Sequence, residues 1–86
     1  MQEFVVYVLY SEKFKKIYIG YSTDLINRFY SHNIFARKGY TVRFRPWVLV
    51  YQEFHDTKIN ALSREKQLKS ARGRKFIYEE IISNIK

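Results

Sequence analysis

FVVYVLY, Phe4 to Tyr10, followed across the turn SEKFK (Ser11–Lys15) by KIYIG, Lys16 to Gly20, decides the fold. The first run is rich in β-branched and aromatic residues, and both of its alternating faces are apolar. Such a strand belongs in the middle of a sheet, covered on each side. Two strands this close in sequence pair antiparallel as a hairpin. Working outward, Ser22 or Thr23 is expected to cap a helix over DLINRFYSHN, with Asp24 near its positive end. Leu25 and Phe29 would face the sheet, with Arg28 and His32 sharing a neighbouring face. Asn33 to Pro46 reads as a short helix or an irregular loop. Pro46 holds Arg45 extended and introduces a third strand, Trp47 to Phe54. Asp56 or Thr57 caps a longer helix, TKINALSREKQLKSARG, whose inner face takes Ala61, Leu62 and Leu68. Gly73 is the expected break. A last helix, Arg74 to Ile85, carries the stripe Phe76, Ile77, Ile81 and Ile85. The expected fold is α+β: a small three-stranded antiparallel sheet flanked by helices, one domain over residues 1–86.

Composition narrows the function. The chain holds 16 Lys and Arg against 8 Asp and Glu, a formal net charge of +8 at pH 7. A positive field of that size on so small a body favours a polyanion as partner. There is no cysteine, so disulfides and thiolate metal sites are excluded. The N-terminus lacks a signal-peptide pattern, and no stretch approaches the roughly 20 apolar residues of a membrane span. The expectation is a soluble cytoplasmic protein without a membrane partner. Aromatic residues make up 19% of the chain, including 8 tyrosines, more than a small core can hold with every hydroxyl partnered. Some should line a site or a surface, and exposed ones could form a dimer face.

Several residues have the chemistry for phosphodiester work. Tyr7 and Tyr18 could be half-buried strand aromatics; a catalytic tyrosine needs a nearby acceptor or activated water, because an ordinary phenol titrates near 10. Arg28 offers a planar fork for phosphate, and His32 a proton acceptor near neutral pH. A solvated helix face would also account for that pair. Gly20 is either a turn residue or a space left for a backbone at the helix N-terminus. Glu65, between Leu62 and Leu68, lies toward the sheet side of its helix, where a carboxylate needs a partner. An ion pair would serve, and so would Mg²⁺, which takes few protein carboxylates. Arg37, Lys38, Arg43 and Arg45 form one basic group; Lys66, Lys69, Arg72, Arg74 and Lys75 form another. Both suit phosphate contacts. His55, just past the third strand, reads as a turn residue.

VVYVL (Val5–Leu9), IYIG (Ile17–Gly20), Arg28 in STDLINRF, His32 in YSHN, RPWVLVYQEF (Arg45–Phe54) and Glu65 in ALSREKQLKS resemble, in that order, the GIY-YIG nuclease superfamily and its small stand-alone bacterial members. The resemblance runs from Val5 to about Ile77. It implies that Tyr7 prepares the attacking water, supported by Tyr18 and His32. It further implies that Arg28 offsets charge on the phosphate and that Glu65 holds one Mg²⁺ or Mn²⁺. Val5 stands where the first motif usually begins with glycine. Ile77 stands where many family nucleases have an asparagine, with Asn84 the nearest replacement. The function expected is a metal-dependent DNA endonuclease, structure-selective in repair or recombination, with RNA a second candidate substrate. The alternatives are a non-catalytic nucleic-acid-binding protein and a basic protein-interaction adaptor. No sequence-reading module is evident, so a protein partner supplying specificity or catalytic groups is compatible with this reading.

Overall fold

β1 (Phe4–Ser11) lies between its two neighbours in a computed structural model that describes residues 3–85. It pairs antiparallel with β2 (Lys16–Ser22) and with β3 (Val48–His55), giving the order β2-β1-β3. The doubly apolar sequence of β1 is explained by this position, since Val5 to Ser11 are all buried. The hairpin turns without glycine; Lys15 takes the left-handed conformation, φ 57°. The ladder to β3 shifts register between Val8 and Leu9, so Tyr7 faces Gln52 while Leu9 faces Leu49.

Each sheet face has its own core. Val6, Val8, Tyr10, Ile17 and Ile19 pack against Ala61 and Leu68 of α3 (Lys58–Lys69) and against Ile77 and Ile82 beyond it. Tyr7, Leu9 and Trp47 form the other core, joined by Tyr18, Leu25, Phe29 and Phe44. Leu25 and Phe29 belong to α1 (Leu25–Tyr30), and they face the sheet as their four-residue spacing requires. Leu68 is 1% exposed, so its truncation to alanine would cost about 2–5 kcal/mol.

The helical caps differ from the sequence expectation in instructive ways. Asp24, not Ser22 or Thr23, caps α1 by accepting the Asn27 amide, while Ser22 Oγ accepts the amide of Asp24 itself. Thr57 caps α3 as expected. The break after α3 falls at Ser70, whose extended backbone (φ −70°, ψ 167°) ends one helix and whose hydroxyl caps α4 (Ala71–Phe76). Gly73 therefore lies inside α4. It is needed for close approach: a Cβ there would come within 2.2 Å of the Gln67 carbonyl oxygen and 2.5 Å of Leu68 Cα.

Two apolar positions also move. Leu62 is 38% exposed, because Ala61 and Leu68 complete the inner face of α3 without it. After α4 the chain continues as a π-helical stretch, Ile77–Ile82, before a final 3-10 turn, Ser83–Ile85. The five-residue repeat of that geometry puts Ile77 and Ile82 on the core side. Phe76 and Ile85, assigned inward on an α-helical period, are exposed.

The edge strand β3 is tied to α3 by one polar cluster. Glu53 accepts from Arg64 Nε at 2.8 Å, lies 3.0 Å from His55 Nε2 and accepts from the Tyr51 hydroxyl. Burial opposes its charge, but these bonds outweigh it and hold the carboxyl below the usual range. His55 is thus a strand-end partner of Glu53 rather than a turn residue.

Candidate active site on the tyrosine face of the sheet

Tyr7 is fully buried in β1, and its ring lies across Gly20, its cross-strand partner. A Cβ at position 20 would be 2.8 Å from Tyr7 Oη and 3.1 Å from Tyr18 Cε2. Gly20 is therefore the space that the Tyr7 side chain occupies, which differs from the backbone-approach reading of the sequence. Tyr18 faces Leu9, one pair further along the same face, and the two tyrosine rings lie 6.3 Å apart.

The helical side of the site depends on a change of winding. α1 runs into a π-helical turn, Ser31–Phe35, which contains His32 and buries it. His32 Nε2 is 3.0 Å from Tyr7 Oη, and its ring centroid is 4.6 Å from that of Tyr18. On its other side, Nδ1 is 3.1 Å from Thr41 Oγ1. Burial, then the positive charges of Arg28 and Arg45, push the imidazole below its ordinary 6.5, so it is neutral at pH 7.

Arg28 is exposed at its α1 position, and Tyr7, with a smaller effect from Tyr18, favours its charged form. Burial and the neighbouring Tyr18 push the Tyr7 phenol up to about 12, and Arg28 opposes the rise without cancelling it. The negative charge of Glu65 also reaches Tyr7 and raises it slightly. Tyr7 is accordingly a neutral phenol at pH 7, with His32 within proton-transfer distance.

Glu65 projects from α3 with 16% of its side chain exposed, and Lys69 Nζ is 3.7 Å from its Oε2. α3 packs on the sheet face opposite the Tyr7 core, so what links Glu65 to the tyrosines is the reach of its charge to Tyr7. Its carboxylate is a hard oxygen donor of the kind that Mg²⁺ or Mn²⁺ takes. Among the described residues no three His, Cys, Asp or Glu side chains converge.

The basic residues divide into separate roles. Lys69 and Arg74 line a cleft with Ile17, Tyr18, Ile19 and Tyr40 along β2. Arg28 lines another with Lys58, Phe4 and Ser22 at the far end of the strand. Arg37, Lys38 and Arg43 surround Tyr40 at α2 (Tyr40–Arg43). Lys66, Arg72 and Lys75 are exposed on α3 and α4. Arg45 is different: Nε donates to the His32 carbonyl at 2.6 Å, and Nη2 to those of Ser31 and Ala36 at 3.2 and 2.7 Å. Its fork closes the π turn that carries His32, and those donors are not free for phosphate.

Three contributors had no sequence signal. Thr41 holds His32. Asn33 brackets Trp47, accepting from its amide at 2.6 Å and donating to its carbonyl at 3.0 Å. Lys58 joins Arg28 only through the tertiary fold. Their partners are 9 to 14 residues away for Thr41 and Asn33, beyond the reach of any local pattern.

A family model described as the GIY-YIG catalytic domain matches residues 3–79. The chain belongs to the GIY-YIG family. Within that family it is similar to a UPF0213 protein of Staphylococcus saprophyticus, 44% identical over 54 residues, 63% of this chain and 66% of that protein, just under two thirds of its length. It is also similar to a UPF0213 protein of Staphylococcus haemolyticus, 40% identical over 58 residues, 67% of this chain and 71% of that one. The solution structure of a UPF0213 protein of Bacillus halodurans shares the fold, with a TM-score of 0.54 at 24% identity over 88% of this chain and 82% of that one. In this GIY-YIG domain, Tyr7, Tyr18, Arg28 and His32 meet on one face of the sheet. Ile77 is wholly buried in the opposite core, and Asn84 Nδ2 donates to the Glu80 carbonyl in the last turn. No helix among the described residues is long and apolar enough to cross a membrane.

Proposed function

We propose that this GIY-YIG domain hydrolyses phosphodiester bonds in DNA with the help of one Mg²⁺ or Mn²⁺ held by Glu65. The observation that carries the reading is the 3.0 Å contact between Tyr7 Oη and His32 Nε2, with the charge of Arg28 acting on Tyr7. When bound, the ion supplies positive charge against the phosphate. Tyr7 passes its proton to His32 as its oxygen takes one from the attacking water. That water's oxygen forms the new bond to phosphorus, the bond to the leaving oxygen breaks, and the leaving oxygen is protonated from solvent. Arg28 offsets the charge that develops on phosphate and on the Tyr7 oxygen.

The clefts along the edge strand β2, with Lys58 and Arg28 at one end and Lys69 and Arg74 at the other, suit a sugar–phosphate backbone. The charged groups they present are cations suited to phosphate rather than a set of base-reading side chains, which favours branched, nicked or otherwise distorted DNA over a sequence. Comparing cleavage of branched and linear duplexes tests this preference, and equal rates on both would remove it.

A second reading is a nucleic-acid-binding protein without turnover. Two observations favour it: the Glu65 carboxylate already has an ammonium at 3.7 Å, and the fully buried Ile77 offers no polar group. It predicts salt-dependent binding that is unchanged in Glu65→Ala and no metal-dependent products.

A further inference from the structure

We propose that Thr41 is a positioning residue: its hydroxyl accepts the Nδ1 proton of His32, which leaves the Nε2 lone pair free to receive the proton of Tyr7. The inference rests on the reading above, in which His32 is the proton acceptor. A fully buried tyrosine hydroxyl has one proton and needs an acceptor for it. Among the described residues His32 Nε2, at 3.0 Å, is the side-chain acceptor within hydrogen-bond distance. Arg28 has only donors, so it can engage the lone pairs of Tyr7 but not its proton. An Nε2 that accepts, on a neutral imidazole, requires the ring proton on Nδ1.

Nδ1 is directed to Thr41 Oγ1 at 3.1 Å, and both residues are buried. A histidine in water favours the opposite tautomer, with its proton on Nε2, so the form needed here has to be held by a partner. Thr41 can act as that partner because its own backbone is pinned. Its carbonyl accepts the Trp47 indole N–H at 2.7 Å, and Trp47 is locked by Asn33. The single turn of α2 thus carries a hydroxyl to the far side of the imidazole.

The test reads the imidazole directly. ¹⁵N spectra of the whole chain at slightly alkaline pH, with the two histidines distinguished through a His55→Gln variant, report which ring nitrogen of His32 bears the proton. Wild type and Thr41→Ser are expected to show Nδ1–H. Thr41→Val, of nearly the same shape, is expected to shift His32 toward Nε2–H and to lower metal-dependent cleavage by about 10- to 100-fold. An Nε2–H tautomer in wild type overturns the proposal, even if Thr41→Val fails to fold. So does a Thr41→Val protein whose tautomer is unchanged. If the tautomer shifts as expected but wild type cleaves nothing, the hold of Thr41 on His32 is supported and the nuclease reading is what fails.

Discussion

The Tyr7 hydroxyl and the His32 imidazole meet at 3.0 Å, although 25 residues separate them in the chain. One comes from the central strand, where both faces are covered; the other comes from a π turn closed by Arg45. Neither group is an active base alone, since the phenol is pushed up to about 12 and the imidazole down from 6.5. Together they form a neutral donor–acceptor pair.

Tyr7→Phe removes the hydroxyl and keeps the ring. Cleavage should fall by about 100-fold or more, the scale of a lost general base. The unpaired His32 Nε2 should also cost about 1–3 kcal/mol of stability. Single-turnover cleavage and urea unfolding measure the two effects separately, and near-normal cleavage by Tyr7→Phe would refute the assigned role.

The acid limb of the pH–rate profile should belong to His32. Because burial and two arginines lower its pKa, it stays neutral down through 6.5 and becomes charged only at lower pH. Activity should therefore be held to pH 6.5 and decline below it. Stability follows the same sign: between the folded pKa and 6.5 the unfolded chain binds the extra proton, so stability falls as pH is lowered through that window. For Tyr7 the folded value is the higher one, so its contribution is lost as pH rises between 10 and about 12. Denaturant melts across pH, with and without His32→Asn, check the acid window.

Much of the fold was legible because it rests on short-range physics. The doubly apolar β1 announced a central strand, and the four-residue spacing of Leu25 and Phe29 announced their inward face. What was not legible depends on winding and on distant partners. Ile82 replaces Phe76 in the core because the last helix changes to a five-residue repeat. Gly73 reads as a stop, yet Ser70 is the break and the glycine lets α4 press against Gln67 and Leu68. For the candidate site, the ordered motifs of the family resemblance named Tyr7, Tyr18, Arg28 and His32, whereas Thr41 declares itself only where it meets the imidazole.

Gly73→Ala tests that close packing. A methyl group 2.2 Å from a backbone carbonyl oxygen cannot be accommodated without separating α3 from α4. The expected cost is about 1–3 kcal/mol, despite alanine's better helix propensity. For a domain of this size that lowers Tm by roughly 10 °C. Calorimetry decides it: a Tm equal to or above wild type would show that the helices are not in such contact.

Arg45 and Arg74 should separate structure from binding. Arg74→Ala should reduce the salt dependence of DNA binding by about one phosphate contact while leaving Tm close to wild type. Arg45→Ala frees three carbonyls, those of Ser31, His32 and Ala36, and should lower Tm with little change in the salt slope of the folded protein. The opposite pattern would mean that Arg45 leaves those carbonyls to contact phosphate.

The most direct measurement is cleavage of labelled single-stranded, duplex and branched DNAs with Mg²⁺ or Mn²⁺, run beside Tyr7→Phe and Glu65→Ala. The account predicts metal-dependent products from wild type, most from branched DNA, and loss of those products in both variants. Salt-sensitive binding without any product from wild type, or product that persists in both variants, would contradict it.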